Sequence, residues 1–105
     1  MSGIASVYAV FASAEEAERI GRAMVEQRHA ACVNILGGCT SIYRWQGAIE
    51  QAREVAALFK TGEDGTAALI AAIAALHSYD NPAITAWPVT DATTDYAAWV
   101  KEETR

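Results

Sequence analysis

The fifteen residues Gln46-Gly47-Ala48-Ile49-Glu50-Gln51-Ala52-Arg53-Glu54-Val55-Ala56-Ala57-Leu58-Phe59-Lys60 decide the fold of this 105-residue chain. Ala, Glu, Gln, Arg and Leu are good helix formers, and Ile49, Ala52, Val55 or Ala56, and Phe59 recur at helical spacing, so propensity favours a helix. An extended reading places Ile49, Gln51, Arg53, Val55, Ala57 and Phe59 on one face, which is less cleanly apolar. In its favour, Gln46-Gly47 directly follows the apolar run Ser41 to Trp45. A two-residue connection ending in Gly suits a tight hairpin.

The flanking segments are less ambiguous. Ile4 to Ala12 mixes β-branched and aromatic residues and reads as a mostly buried strand. Ser13 stands three residues before Glu16, the capping-box spacing, and Ala17, Ile20 and Met24 continue a helix to near His29. Cys32 to Trp45 reads as a strand with a bulge or kink at Gly37-Gly38. Gly62 to Gly65 is a turn, and Asp64 or Thr66 is the expected cap of a second helix with Leu69, Ile70, Ile73, Leu76 and His77 inward. Asn81-Pro82 breaks that helix, Ala83 to Trp87 reads as a strand, and Pro88 confines it to an edge or an end. A short last helix, Tyr96 to Glu103, is expected to follow a cap at Thr94 or Asp95, with Tyr96, Trp99 and Val100 as its apolar side. If Ala48 to Lys60 is extended, the order is a split βαβ arrangement of ferredoxin-like type in one domain over residues 1–105.

Composition bounds the function. Hydrophobic residues make up 52%, but 23 of them are Ala, leaving a thin core that gains from burial between subunits. The net charge of -5 disfavours nucleic acid. The longest uncharged stretches, His29 to Tyr43 and Gly65 to Tyr79, fall short of the roughly 20 residues that cross a bilayer. Two cysteines, Cys32 and Cys39, are too few for a disulfide scaffold, and the expectation is a cytoplasmic protein with reduced thiols. Catalytic motifs such as a nucleophile elbow or a phosphate-binding loop do not occur, so no enzyme is expected.

The run Ala31-Cys32-Val33-Asn34-Ile35, then Ser41-Ile42-Tyr43-Arg44-Trp45-Gln46-Gly47-Ala48-Ile49, then Glu54 and Lys60-Thr61, resembles the CutA divalent-cation-tolerance family. The C-terminal half agrees in order and spacing: His77-x-Tyr79-x-x-Pro82 with Ile84, then Trp87-Pro88-Val89, then Asp95-Tyr96 with Trp99. The resemblance implies an α+β, ferredoxin-like sandwich with a long β2-β3 hairpin and a C-terminal helix, assembled as a homotrimer like PII signal proteins. It therefore overrides helix propensity at Ala48 to Lys60. It also implies a role in tolerance of divalent metals, with copper binding in some members. Two departures stand out: Ala83 where the family usually has Glu, and Ser78 where it usually has Pro. A carboxylate ligand is thus missing, and Cys39 is an extra thiol in partial compensation.

The metal-ligand candidates are His77, a borderline-soft imidazole at the end of the second helix, and Cys39, whose thiolate suits copper. Tyr43 and Trp45 are two apart, share a strand face, and read as a subunit interface or pocket wall. Glu54 and Lys60 share a face too, but six residues at about 3.3 Å each hold them roughly 20 Å apart, so each needs another partner. With Tyr79 these residues form the expected ligand cleft or subunit interface. The leading expectation is a cytoplasmic, non-enzymatic homotrimer binding copper, another divalent cation or a small ligand. The alternative is a PII-like signalling or scaffold trimer that uses Lys60 with the Tyr43 and Trp45 wall to take an anionic metabolite or a partner loop.

Overall fold

The computed structural model describes residues 1–105. Its elements run β1 (Ile4–Phe11), α1 (Ala14–Glu26), β2 (Cys32–Trp45), β3 (Ala48–Gly62), α2 (Thr66–Leu76), β4 (Ile84–Val89) and α3 (Thr94–Glu103). The sheet order is β2-β3-β1-β4, with every neighbouring pair antiparallel. This is the ferredoxin-like α+β arrangement.

The deciding segment is a strand. Two registers hold β3 extended: Val55 to Gly62 pair with Phe11 to Ile4 of β1, and Ala48 to Lys60 pair with Trp45 to Cys32 of β2. Helix propensity differs among these residues by a few tenths of a kcal/mol each, which ladder pairing along the whole strand, on both sides from Val55 on, outweighs. The strand also has two halves with different surroundings. From Val55 on, Ala57 and Phe59 join Val7, Ala9 and Phe11 of β1 beneath Ala17, Ile20 and Met24 of α1 and Leu69 and Ile73 of α2. Before Val55, β3 has only β2 beside it, and the two form a ribbon that stretches the molecule to 45 × 25 × 22 Å.

The ribbon closes through Gln46 (φ 50) and Gly47 (φ 83), both left-handed, so Trp45 pairs with Ala48. Two positive φ values define a type I′ turn, whose twist matches the flanking strands. Further down β2 the register slips between Ile35 and Gly37 (φ 94), as the glycines suggested. Ile35 lies opposite Ala57, on the core side; beyond the slip Cys39 lies opposite Glu54 and Tyr43 opposite Glu50, on the other side. The extra residue, Leu36, thus moves Cys39, Ser41, Tyr43 and Trp45 to the face that simple alternation from Val33 denies them.

Helix α1 begins as expected: Ser13 Oγ accepts from Glu16 N–H at 3.1 Å. It ends at Glu26, short of His29, because Arg28 turns left-handed (φ 62). Gly21 lets α1 lie against β2, since a Cβ there would come within 3.0 Å of Val33 Cγ1. The expected side-chain caps of α2 are not used; Gly65 occupies the N-cap, and the Thr66 hydroxyl donates to Glu63 O at 2.8 Å. Its buried stripe is Leu69 and Ile73, while Leu76 is exposed. Strand β4 is an edge and runs past Trp87 to Val89, so Pro88 opposite Ala5 loses no ladder bond that a central strand would require. Helix α3 starts at Thr94 with Thr93 as N-cap, and buries Ala97 and Val100 against Ile4 and Ala31. The expected inward aromatics Tyr96 and Trp99 instead lie together on the exposed side, 5.9 Å apart.

Candidate functional site

A groove of about 740 Å³ opens where the ribbon leaves the body. Tyr43, Trp45, Glu50 and Glu54 of the ribbon form one wall; Tyr79, Asp80, Asn81 and Ala83, from the segment between α2 and β4, form the other. Arg44 is the sole cationic side chain in the lining, against the three carboxylates Glu50, Glu54 and Asp80.

The second wall is held by a chain of contacts that begins in the core. Phe11, fully buried, stacks on His77 (5.0 Å, 15°), which in turn packs on Tyr79 (4.9 Å, 50°). His77 Nε2 lies 2.8 Å from Val10 O, and His77 Nδ1 accepts from Tyr79 N–H at 3.0 Å. A carbonyl only accepts and an amide N–H only donates, so the proton sits on Nε2 and both ring nitrogens are engaged. Tyr79 then donates its hydroxyl to Glu54 Oε2 at 2.7 Å, bridging the walls. That bond, then burial, pushes the phenol up to about 12. Desolvation, then Glu50 and Glu54, raises Tyr43 also, so the groove opposes new negative charge.

Behind this chain lies Glu16, buried at 5% exposure. Its Oε1 accepts from Ala12 N–H at 3.1 Å and its Oε2 from Ser78 N–H at 2.8 Å, joining the start of α1 to the Tyr79 segment. Burial pushes its carboxyl up, but hydrogen bonds from Ser78 and Ala12 and the nearby His77 outweigh it, and the net shift is downward from 4.5.

Of the residues singled out from sequence, Tyr43, Trp45, Glu54 and Tyr79 meet in the groove. Lys60 does not: it lies opposite Cys32 and Ser6, at the far end of β3. Within one chain the groove therefore lacks the Lys60 cation on which the anion-binding alternative relies, and its carboxylate excess does not favour an anion. The partner expected for Glu54 from another subunit or an anion is supplied within the chain by Tyr79. Cys39 is half-buried beside the groove, on the same face as Glu54 and with Sγ 4.0 Å from Ser41 Oγ. Cys32, expected as a buried small hydrophobe, is half-buried with Sγ 3.4 Å from Tyr96 Oη, and burial followed by Cys32 pushes that phenol up to about 12.

Sequence reasoning missed Glu50, Asp80 and the second role of Glu16. Counting outward from the Gln46-Gly47 turn pairs residue 43 with 50 and residue 39 with 54, so Glu50 was findable. Asp80 follows from the path of an irregular segment and carries no local signal.

The donor set suits a cation bound through carboxylate oxygens, but no three His, Cys, Asp or Glu side chains converge as a closed metal site. His77 can ligate only by releasing Val10 or Tyr79. No helix is long and apolar enough to cross a membrane.

Residues 5–103 match the CutA1 divalent ion tolerance protein family. The divalent-cation tolerance protein CutA of Thermus thermophilus is 44% identical over 92 residues, 88% of this chain and 89% of that protein. The CutA crystal structure from Xylella fastidiosa superposes with a TM-score of 0.95 at 35% identity, covering 98% of this chain and 99% of that one. The structure from Archaeoglobus fulgidus, described as a periplasmic divalent cation tolerance protein CutA, gives 0.93 at 35% identity, covering 97% and 99%. Similarity at this level over nearly the whole length, together with the matching fold, shows that this chain belongs to the CutA1 divalent ion tolerance family.

Proposed function

We propose that this chain serves divalent-cation tolerance by binding cations rather than by catalysis, and that it works as a homotrimer with the groove at its subunit clefts. The observation that carries this reading is the charge of the groove: three carboxylates line it with Arg44 as the one cationic residue, and Tyr79 is anchored on Glu54 between the walls. Trimerisation is supported by the ribbon. A two-stranded ribbon is marginal alone, and this one exposes Ile42 (68%), Ile49 (62%) and Trp45 (46%). The cation takes oxygen donors from the groove and completes its shell with water or a neighbouring copy. Copper is favoured where Cys39 adds a thiolate beside Glu54, and His77 then acts by holding Tyr79 unless it surrenders one hydrogen bond. The two free thiols fit a reducing, cytoplasmic setting.

Calorimetric titration with Cu(II) and Zn(II) on wild type, Glu54→Gln, Cys39→Ser and His77→Ala tests the site. Weaker binding in Glu54→Gln and Cys39→Ser is expected, and equal affinity in all four proteins refutes the assignment. Light scattering on the same samples is expected to give three times 11.2 kDa, and a monomer refutes the assembly.

A further inference from the structure

Glu50 and Glu54 share a face of β3, four residues apart, so their backbone origins are separated by about 13 Å at the rise of a strand. Asp80 lies on the opposite wall. Carboxylates spread in this way do not close on one ion, in keeping with the absence of a converging triad. They match a ligand whose positive charges are themselves spaced along a chain. Beside Glu50 in the register is Tyr43, and Trp45 follows one step nearer the turn on the same face; both rings are part-exposed within the groove and offer π-faces to a cation and apolar area to methylene groups. Arg44 is the opposing charge, but it lies opposite Ile49 in the register, so its side chain leaves the ribbon from the face away from Glu50. A volume near 740 Å³ is in the range of small-ligand sites and far exceeds that of one hydrated ion.

We propose that the groove binds an extended organic polyamine, its ammonium groups on Glu50, Glu54 and Asp80 and its methylene chain along Trp45 and Tyr43. This rests on the reading of the groove as a cation site but does not require a metal. The elevated phenol of Tyr79 agrees with it, because the same negative field that opposes a phenolate favours an ammonium.

The test is titration of the intact protein, followed by calorimetry and tryptophan fluorescence, with spermidine, putrescine, butanediol and succinate, and separately with Zn(II). Spermidine is expected to bind saturably, more tightly than putrescine and more weakly at high salt, with butanediol and succinate silent. Trp45→Ala and Glu54→Gln are each expected to lower affinity roughly tenfold. Because Glu54 also holds Tyr79, Asp80→Asn provides a second carboxylate variant outside that bond, with a loss of the same sign. Binding of butanediol or succinate as strong as that of spermidine, or unchanged affinity in all three variants, overturns the proposal. So does silence toward amines while the groove is shielded in the oligomer, which would assign it to a basic side chain of a second copy. Zn(II) binding without spermidine binding overturns the polyamine and leaves the metal reading standing; spermidine binding without Zn(II) binding does the reverse.

Discussion

Replacing Glu16 by Gln removes one charge and keeps nearly the same shape, at the point where α1, the end of β1 and the Tyr79 segment meet. The carboxylate accepts two backbone N–H groups, from Ala12 and Ser78, while 5% exposed. A carboxamide accepts with only one of its two ends, so one of those N–H groups faces an NH₂ and loses its partner. A hydrogen bond to a charged group contributes about 1.5 to 3 kcal/mol, and an orphaned buried donor costs about as much, so a loss of roughly 2 to 3 kcal/mol is expected near neutral pH. The pH dependence fixes the cause. The folded carboxyl titrates below 4.5, so its stabilisation is complete above 4.5 and disappears as pH falls through the lower folded value. Urea unfolding of wild type and Glu16→Gln across that window is therefore expected to give curves that are far apart near neutrality and converge in acid. A stability difference that is constant with pH, or below about 0.5 kcal/mol at neutrality, refutes the reasoning.

Three further outcomes follow from the geometry. Gly21→Ala presses a methyl to 3.0 Å from Val33 Cγ1 and is expected to destabilise by about 1 to 3 kcal/mol in chemical denaturation. At the turn, Gln46→Asn places a residue that tolerates left-handed backbone at φ 50 and is expected to raise the thermal midpoint, while Gly47→Ala at φ 83 lowers it. In ultraviolet titration, Glu54→Gln is expected to bring one tyrosine down from about 12, because its carboxylate is the first cause of the Tyr79 shift; an unchanged titration contradicts the Tyr79 to Glu54 bond.

Much of the fold was legible because apolar periodicity and turn residues agree over most of the chain. Ser13, the Gly37-Gly38 irregularity, Gln46-Gly47 and Pro88 each play the part that local chemistry assigns them. Ala48 to Lys60 was not legible from its own residues, for a reason visible in the sheet: only the half from Val55 onward lies over the core, so one pattern read across both halves mixes a buried strand with a solvated ribbon. Family resemblance supplied what periodicity could not. The aromatics of α3 were misassigned because Ala97 and Val100, smaller than Tyr96 and Trp99, make the tighter contact with Ile4 and Ala31. In the site, Tyr43, Trp45, Glu54 and Tyr79, singled out by strand spacing and by family resemblance, line one groove. Lys60 stands outside the groove of a single chain, at the distance from Glu54 that the rise of a strand requires.

The slip at Leu36 separates two sets of demands on one strand. Val33 packs against the core beneath the helices, whereas Ser41 through Trp45 line the groove. Substitutions in the outer stretch therefore leave the contacts of the core cluster in place. Drawing Leu36 into the ladder instead of looping it out would turn the outer ribbon over, presenting Ile42 and Arg44 where Tyr43 and Trp45 now stand.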